Sequence, residues 1–342
     1  MSYTIGVIGA GSWGTALAVL LSKKGYQIYL WHRNQEFIEE LRDNRENKKY
    51  LPGSILSENI LLTNDLKECV IKSNIIILAV ASQGIREICK KISSYVDSSQ
   101  ILVNVAKGIE TNTLFRMSKV IHQEIPKNEV IILSGPSHAE EVAKDIPTAV
   151  VVAGKNRKIT EFIQDIFISS TFRVYTNPDV IGVELGGALK NVIALATGIC
   201  DGLGYGDNSK AGLMTRGIVE ISRLGHAMGA HVSTFAGLSG LGDLIVTCTS
   251  MHSRNRRAGI QLGKGKKLEN ILQDINMVVE GVGTTSAAYH LSKKYNVEMP
   301  ITSELYDVLY HDKDAKESVD TLMLRNKTNE MEELALQYYK QW

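Results

Sequence analysis

Short apolar runs separated by helical periodicity fill the first half of the chain. Residues 4–8 (TIGVI), 27–31 (QIYLW), 60–63, 74–80 (NIIILAV), 101–106, 130–133, 148–152 and 172–175 each read as a strand. The run at 74–80 is apolar almost throughout, as expected of a central parallel strand covered on both faces. Gly25 suits a helix C-cap just before the second strand. Stretches such as 82–92 and 114–125 have helical character and lie between strands. Strand and helix in alternation predict an α/β domain on a parallel, doubly wound sheet.

The pattern changes near Pro178. From Val183 onward, Leu185, Leu189, Val192 and Ala196 recur at steps of three and four, the spacing of a helix. Further helices are predicted at 209–228, 253–262, 284–295 and 301–310. The short apolar run 244–246 is the one strand candidate of this half, and the tail after Arg325 reads as a polar helix. The division predicted is a sheet-bearing domain over 1–182 and an all-helical domain over 183–342.

Composition changes this picture little. At 342 residues the chain can bury two cores. With 44 % hydrophobic and 22 % charged positions it is an ordinary globular sequence. A formal net charge of +1 gives no bulk attraction to nucleic acid or to a membrane surface. No uninterrupted apolar run reaches membrane-spanning length, so no membrane insertion is expected. The chain enters a strand directly from its start, so no signal peptide is expected. Cys69, Cys89, Cys200 and Cys248 are widely spaced and match no metal-ligand pattern. They read as free, buried thiols of a cytoplasmic protein, and no metal is expected.

The most specific local signal follows the first strand. Gly9-Ala10-Gly11-Ser12-Trp13-Gly14 is G-x-G-x-x-G between a strand and a helix. Gly9 permits the turn, Gly11 lets a pyrophosphate approach the backbone, and Gly14 lets helix and strand pack closely. The helix N-terminus supplies N–H donors and the positive end of a dipole. The plain alternative is a glycine-rich turn without a ligand. A carboxylate at the end of the second strand would mark NAD, by accepting from the ribose hydroxyls. The chain instead has Trp31-His32-Arg33-Asn34 there. Arg33, helped by His32, suits a 2′-phosphate, so NADP is accepted beside NAD. Otherwise Arg33 is a solvated loop residue.

Four further segments carry candidate chemistry. Lys107, followed by Gly108, comes just after a buried strand, where ligands of open α/β sheets bind. Gly135-Pro136-Ser137-His138-Ala139 has the same placement after another strand. Lys190 and Asn191 interrupt an apolar helix rich in small residues. A lysine there must snorkel, pair, or have a pKa below its usual value of about 10.4. In the stretch from Asp243 to Arg257, Ser253 reads as an N-cap with Arg254 and Asn255 in the first turn, a phosphate receptor. A nucleic-acid patch is the rival reading there. It is disfavoured because few aromatics are interleaved and the chain is not basic overall. Val279 and Glu280 end an apolar pair with a carboxylate, either cofactor contact or plain helix start.

Together these segments resemble a known family. GAGSWGTALA at 9–18, NVAKGIE at 104–110, SGPSHAEE at 134–141, ELGGALKNVIALATGICDGLGYGDN at 184–208, GLSGLGDLIVTCTSMHSRNRRAG at 237–259 and VVEG at 278–281 are similar to the bacterial NAD(P)-dependent sn-glycerol-3-phosphate dehydrogenases. Tyr50-Leu51-Pro52-Gly53 and Glu298-Met299-Pro300-Ile301 also match, so nearly the whole chain is covered. The resemblance implies that Lys190 is the general acid/base and Lys107 its companion, touching cofactor and substrate. It implies that Gly135, Ser137, Asn191, Asp243, Ser253, Arg254 and Asn255 form the substrate site, Arg254 and Asn255 gripping the phosphate. Ser12, Trp13, His32, Arg33, Tyr50, Ala139, Arg254, Val279 and Glu280 would contact the dinucleotide.

The expected fold is therefore a Rossmann-like domain followed by an all-helical domain, with the site in the cleft between them. The expected reaction is reversible hydride transfer between NAD(P)H and dihydroxyacetone phosphate, giving glycerol 3-phosphate for phospholipid synthesis. A homodimer is compatible with this reading. Two rivals stand beside it. A 3-hydroxyacid or ketopantoate reductase would bind a carboxylate and has no obvious need of a phosphate receptor. A non-catalytic NAD(P)-sensing regulator would keep the glycine loop but need not keep Lys107 and Lys190.

Overall fold

The computed structural model describes residues 3–275, 278–327 and 329–330. One sheet holds β1 (Thr4–Ile8), β2 (Gln27–Trp31), β3 (Ile60–Thr63), β4 (Ile75–Leu78), β5 (Ile101–Asn104), β6 (Val130–Ser134), β7 (Thr148–Ala153) and β8 (Phe172–Asn177). Their spatial order is β3-β2-β1-β4-β5-β6-β7-β8. The connecting helices are α1 (Ser12–Lys23), α2 (Gln35–Asn44), α3 (Leu66–Ile71), α4 (Ile85–Ile92), α5 (Met117–Glu124), α6 (Ala139–Val142) and α7 (Arg157–Phe167).

The apolar runs form strands because both sheet faces are covered. Ile75 and Ile77 enter one core with Ile5, Val7, Ile28 and Leu30, while Ile76 and Leu78 enter another with Ile8 and Leu102. Alternate residues thus serve opposite faces, and no polar alternation remains. Strand order reverses between β1 and β4, so the turn after β1 sits at a topological switch point.

The sheet is parallel from β3 to β6, as expected of a doubly wound domain, and departs from that pattern at its last two strands. β7 runs antiparallel to β6, and β8 runs parallel to β7. A parallel return needs a crossover long enough to recross the sheet. The link between β6 and β7 carries only the one-turn helix α6, so the chain reverses at the same edge.

Beyond β8 the described chain is helical: α8 (Val180–Gly202), α9 (Asp207–Ala227), α10 (Asp243–Thr249), α11 (Arg254–Gly263), α12 (Leu268–Ile275), α13 (Glu280–Tyr295), α14 (Pro300–Tyr310) and α15 (Ala315–Met323). The run at 244–246, expected as a strand, lies inside α10. Three apolar residues are too few to set a period, and burial of Leu244, Thr247 and Cys248 shows the helical one. The polar helix expected after Arg325 falls for the most part outside the described residues.

Helix α8 is the axis of this half. Asp179 caps it by accepting from Gly182 N (2.9 Å), and its other oxygen accepts from His231 N (2.9 Å) and Thr234 Oγ1 (2.7 Å). Among the described residues it is the one helix long and apolar enough to cross a membrane, although Glu184, Lys190 and Asn191 interrupt its apolar run. It is instead a packed core helix, 94 % buried over that window, with Glu184 and Lys190 inside it. Glu184 accepts from Ser118 N (2.7 Å) and Ser118 Oγ (2.6 Å) and pairs with Arg116, which ties α8 to the start of α5.

α8 and α11 cross with their backbones in contact. A Cβ on Gly198 would lie 2.2 Å from Arg256 O, and one on Gly259 would lie 2.2 Å from Leu195 O. Gly202 and Gly263 repeat the contact one turn further on. This crossing fixes where α11 begins. The four cysteines are free and buried, and burial pushes the Cys69, Cys89 and Cys248 thiols up to about 12.

Candidate active site

The turn after β1 has the form its glycines require. Gly9 has φ of +121°, a conformation that side chains with a Cβ rarely adopt. A Cβ on Gly14 would stand 1.9 Å from Gly9 O, so turn and helix close on one another. A Cβ on Gly11, by contrast, would meet nothing within 4 Å. Open backbone there, at the start of α1, is a cradle for a pyrophosphate. Trp13 Nε1 is a buried donor without a protein partner in the same turn. Trp13 packs with Ala139 at the start of α6. These residues fit a dinucleotide.

At the end of β2, His32 Nδ1 accepts from Asn34 N (3.2 Å) and the ring stands edge-on to Phe37 at 4.6 Å. Phe37 in turn meets Tyr50 at 5.4 Å. Burial lowers the His32 pKa, and the charges of Arg33 and Lys49 lower it further against the bond from Asn34. Arg33 is exposed on this rim.

The reactive cluster lies where the sheet meets α8 and α10. Lys107, beyond the end of β5, donates to Gly135 O (2.9 Å) and to Asp243 Oδ2 (2.7 Å). Lys190 of α8 donates to Asp243 Oδ1 and to Thr247 Oγ1 (2.8 Å). Gly187 makes room for this approach: a Cβ there would stand 2.6 Å from Ser134 Oγ and 3.6 Å from Lys107 Cγ. One buried carboxylate therefore holds two ammonium groups. Burial drives the Lys190 pKa down; Asp243 opposes the fall and Lys107 adds to it, leaving it at about 8. Burial alone would raise the Asp243 carboxyl, but Lys107 and Lys190 hold it below its usual range. Ser137 Oγ donates to Gly135 O (2.9 Å), which closes the turn after β6 beside the cluster.

The helical side supplies the rest. Ser253 caps α11 by accepting from Arg256 N (3.2 Å), as its sequence predicts. Arg254 Nη1 donates to Val278 O (3.0 Å). Asn255 is buried, and its Oδ1 accepts from Gly281 N (2.9 Å), which leaves its amide N–H groups as donors. Glu280, at the start of α13, lies 3.5 Å from Asn191 Nδ2. Burial raises its pKa against the pull of Arg254, Lys190 and Lys107. Val279 is buried at the N-cap position of α13. Lys107, Lys190, Asn191, Asp243, Gly135, Ser137, Arg254, Asn255 and Glu280 are thus linked through these contacts. His32, Arg33 and Tyr50 form a separate group on the nucleotide rim.

Three participants were not singled out from sequence. Thr247 follows Asp243 by one helical turn, and that spacing is a signal for it. Its hydroxyl also donates to Asp243 O (2.6 Å). His138 has a buried Nε2 with no partner, and its ring lies 5.7 Å from that of His252. Burial, then the charges of Lys190 and Lys107, lower its pKa. Asn47 carries no local signal, yet it is buried and bonds the glycine turn, donating to Ala10 O (3.0 Å) and Thr15 Oγ1 (2.8 Å).

A glycine-cradled nucleotide turn on the sheet, together with a buried lysine–carboxylate cluster where the sheet meets the helical half, defines a dinucleotide-dependent oxidoreductase. The pattern described as NAD-dependent glycerol-3-phosphate dehydrogenase N-terminus matches residues 4–160, and that of the C-terminus matches residues 179–320. The glycerol-3-phosphate dehydrogenase [NAD(P)+] of Pelotomaculum thermopropionicum is 56 % identical over 339 residues, 98 % of this chain and 97 % of the relative. That of Thermoanaerobacter sp. is 57 % identical over 327 residues, 96 % of this chain and 98 % of the relative. The crystal structure of glycerol-3-phosphate dehydrogenase from Coxiella burnetii superposes with a TM-score of 0.92 at 36 % identity, covering 95 % of this chain and 99 % of that one. The chain belongs to the NAD-dependent glycerol-3-phosphate dehydrogenase family.

Proposed function

We propose that this cleft interconverts sn-glycerol 3-phosphate and dihydroxyacetone phosphate with NAD(P)H, Lys190 serving as general acid/base. The observation that carries this reading is the single buried carboxylate of Asp243 held between the ammonium groups of Lys107 and Lys190. The nicotinamide, when bound, supplies or accepts the hydride. In reduction, the Lys190 ammonium donates a proton to the ketone-derived oxygen of the substrate. Lys107 stabilises the negative charge growing on that oxygen. In oxidation, neutral Lys190 accepts the hydroxyl proton. With its pKa lowered to about 8, both forms of Lys190 are accessible near neutral pH. Asp243 and Thr247 hold the Lys190 ammonium in place.

The substrate phosphate is assigned to Arg254, Asn255 and the N–H groups of the first turn of α11, helped by the helix dipole. The dinucleotide is assigned to Gly9, Gly11, Ser12, Trp13, Gly14, Ala139, Val279 and Glu280, with its adenosine end toward His32, Arg33 and Tyr50. The Asn191–Glu280 contact supports placing both near the meeting point of substrate and cofactor. We infer a cytoplasmic enzyme without membrane insertion, supplying glycerol 3-phosphate for phospholipids. An assembly of two copies belongs to the same reading, and sedimentation equilibrium decides it.

The test is a spectrophotometric assay of NADPH and NADH oxidation with dihydroxyacetone phosphate, with ketopantoate as the control. Turnover with the phosphorylated ketone alone supports the reading. Turnover with ketopantoate alone would assign the cleft to a carboxylate-directed reductase, and cofactor binding without turnover to a sensor.

A further inference from the structure

The loop between α2 and β3 is fastened to the nucleotide turn. Asn47 is fully buried and spans the two, donating to Ala10 O and Thr15 Oγ1 on one side and accepting from Tyr50 N (3.0 Å) on the other. Lys49 is therefore carried at a fixed place beside that turn. Its Nζ stands 5.2 Å from the Tyr50 ring centre and 6.0 Å from that of Phe37. Phe37 touches His32, which precedes Arg33. The adjacent Lys48 is drawn away, donating to Asn44 Oδ1 (2.8 Å). Glu87 senses the charge of Arg33 but pairs with Lys91 at 2.6 Å. Among the described residues neither Arg33 nor Lys49 has a carboxylate within ion-pair distance.

Two unneutralised cations stand near a histidine whose Nδ1 is already occupied by Asn34 N, which leaves His32 Nε2–H as its remaining donor. Such a set suits a phosphomonoester, which takes several charge-assisted bonds at once. We propose that Lys49 is a specificity-determining residue for the 2′-phosphate of NADP, acting together with Arg33. Asn47 is the positioning residue that sets Lys49 there. This rests on the reading that the adenosine ribose meets the end of β2. A lysine that merely lay over Tyr50 would support the ring and favour both cofactors alike.

The experiment measures cofactor binding, apart from turnover, by fluorescence titration of NADPH and NADH on the full chain. Lys49→Gln, Lys49→Arg and Arg33→Gln are compared with the parent at fixed ionic strength. Lys49→Gln should weaken NADPH by about three- to tenfold, as loss of one exposed charge-assisted contact does, and leave NADH within twofold. Lys49→Arg should restore NADPH affinity, and added salt should reduce the difference. Equal weakening of both cofactors, or no change in either, overturns the proposal. Should Arg33→Gln also leave the NADPH to NADH ratio unchanged, the placement of the ribose itself fails. A changed ratio in Arg33→Gln beside an unchanged one in Lys49→Gln refutes Lys49 alone.

Discussion

Lys190 and Asp243, 53 positions apart in sequence, form an ion pair in which both side chains are buried. The same carboxylate serves Lys107, so one negative charge balances two positive ones. Asp243→Asn removes that balance. The pKa of Lys190 should fall further, because the group that raised it is gone. Its acid form then becomes scarce at neutral pH. Reduction of dihydroxyacetone phosphate should slow by about 10²-fold or more, and the pH inflection should move to lower pH. Removing one partner of a buried pair should also cost about 3–5 kcal/mol of stability. pH–rate profiles and denaturant titrations measure the two effects.

The pH dependence of the parent follows from the same lysine. Below about pH 8 Lys190 is the ammonium, and above it the amine. Reduction needs the acid and should decline as pH rises through that value. Oxidation needs the base and should rise there. Lys190→Ala should abolish both inflections and reduce turnover by about 10²–10⁴-fold. NADPH affinity should be nearly unchanged. Near-normal kcat in this variant would remove Lys190 from the mechanism.

Arg254→Ala should act on the phosphate. A hydrogen bond to a charged group is worth about 1.5–3 kcal/mol, so KM for dihydroxyacetone phosphate should rise roughly ten- to a hundredfold. Dihydroxyacetone, which lacks the phosphate, should be nearly insensitive to the change. If both substrates suffer equally, the loss of the Arg254–Val278 bond is the cause instead.

Gly198→Ala probes the crossing of α8 and α11. The new methyl would stand 2.2 Å from a backbone oxygen, which cannot swing aside as a side chain can. Overpacking of this kind costs about 1–3 kcal/mol. Since α11 carries Arg254 and Asn255 at its start, KM for the phosphorylated substrate should rise along with the loss in Tm. A gain in Tm would mean that the helices separate freely.

The fold was legible where periodicity and length were ample. Short apolar or alternating runs marked all eight strands, and Lys190 stood out because a cation within an apolar helix needs a reason. The reversal of β7 was not legible, because strand direction depends on how far the connection travels and not on the strand's own residues. The run at 244–246 was misread for want of length. Asn47, His138 and Thr247 escaped notice for a different cause. Thr247 carried only its one-turn spacing from Asp243, while Asn47 and His138 owe their places to contacts distant in sequence, of which a lone polar residue leaves no trace.

The hold of Glu184 on Ser118 and Arg116 has a consequence for unfolding. The first turn of α5, in the sheet-bearing half, obtains its anionic cap from a helix of the other half. Neither half is then complete alone, although each has its own core. Thermal unfolding should be one cooperative event, with calorimetric and van't Hoff enthalpies in agreement. Glu184→Ala should split it into two steps, the sheet-bearing half melting at the lower temperature. The seam between the halves would thus be a source of cohesion as well as a place for substrate.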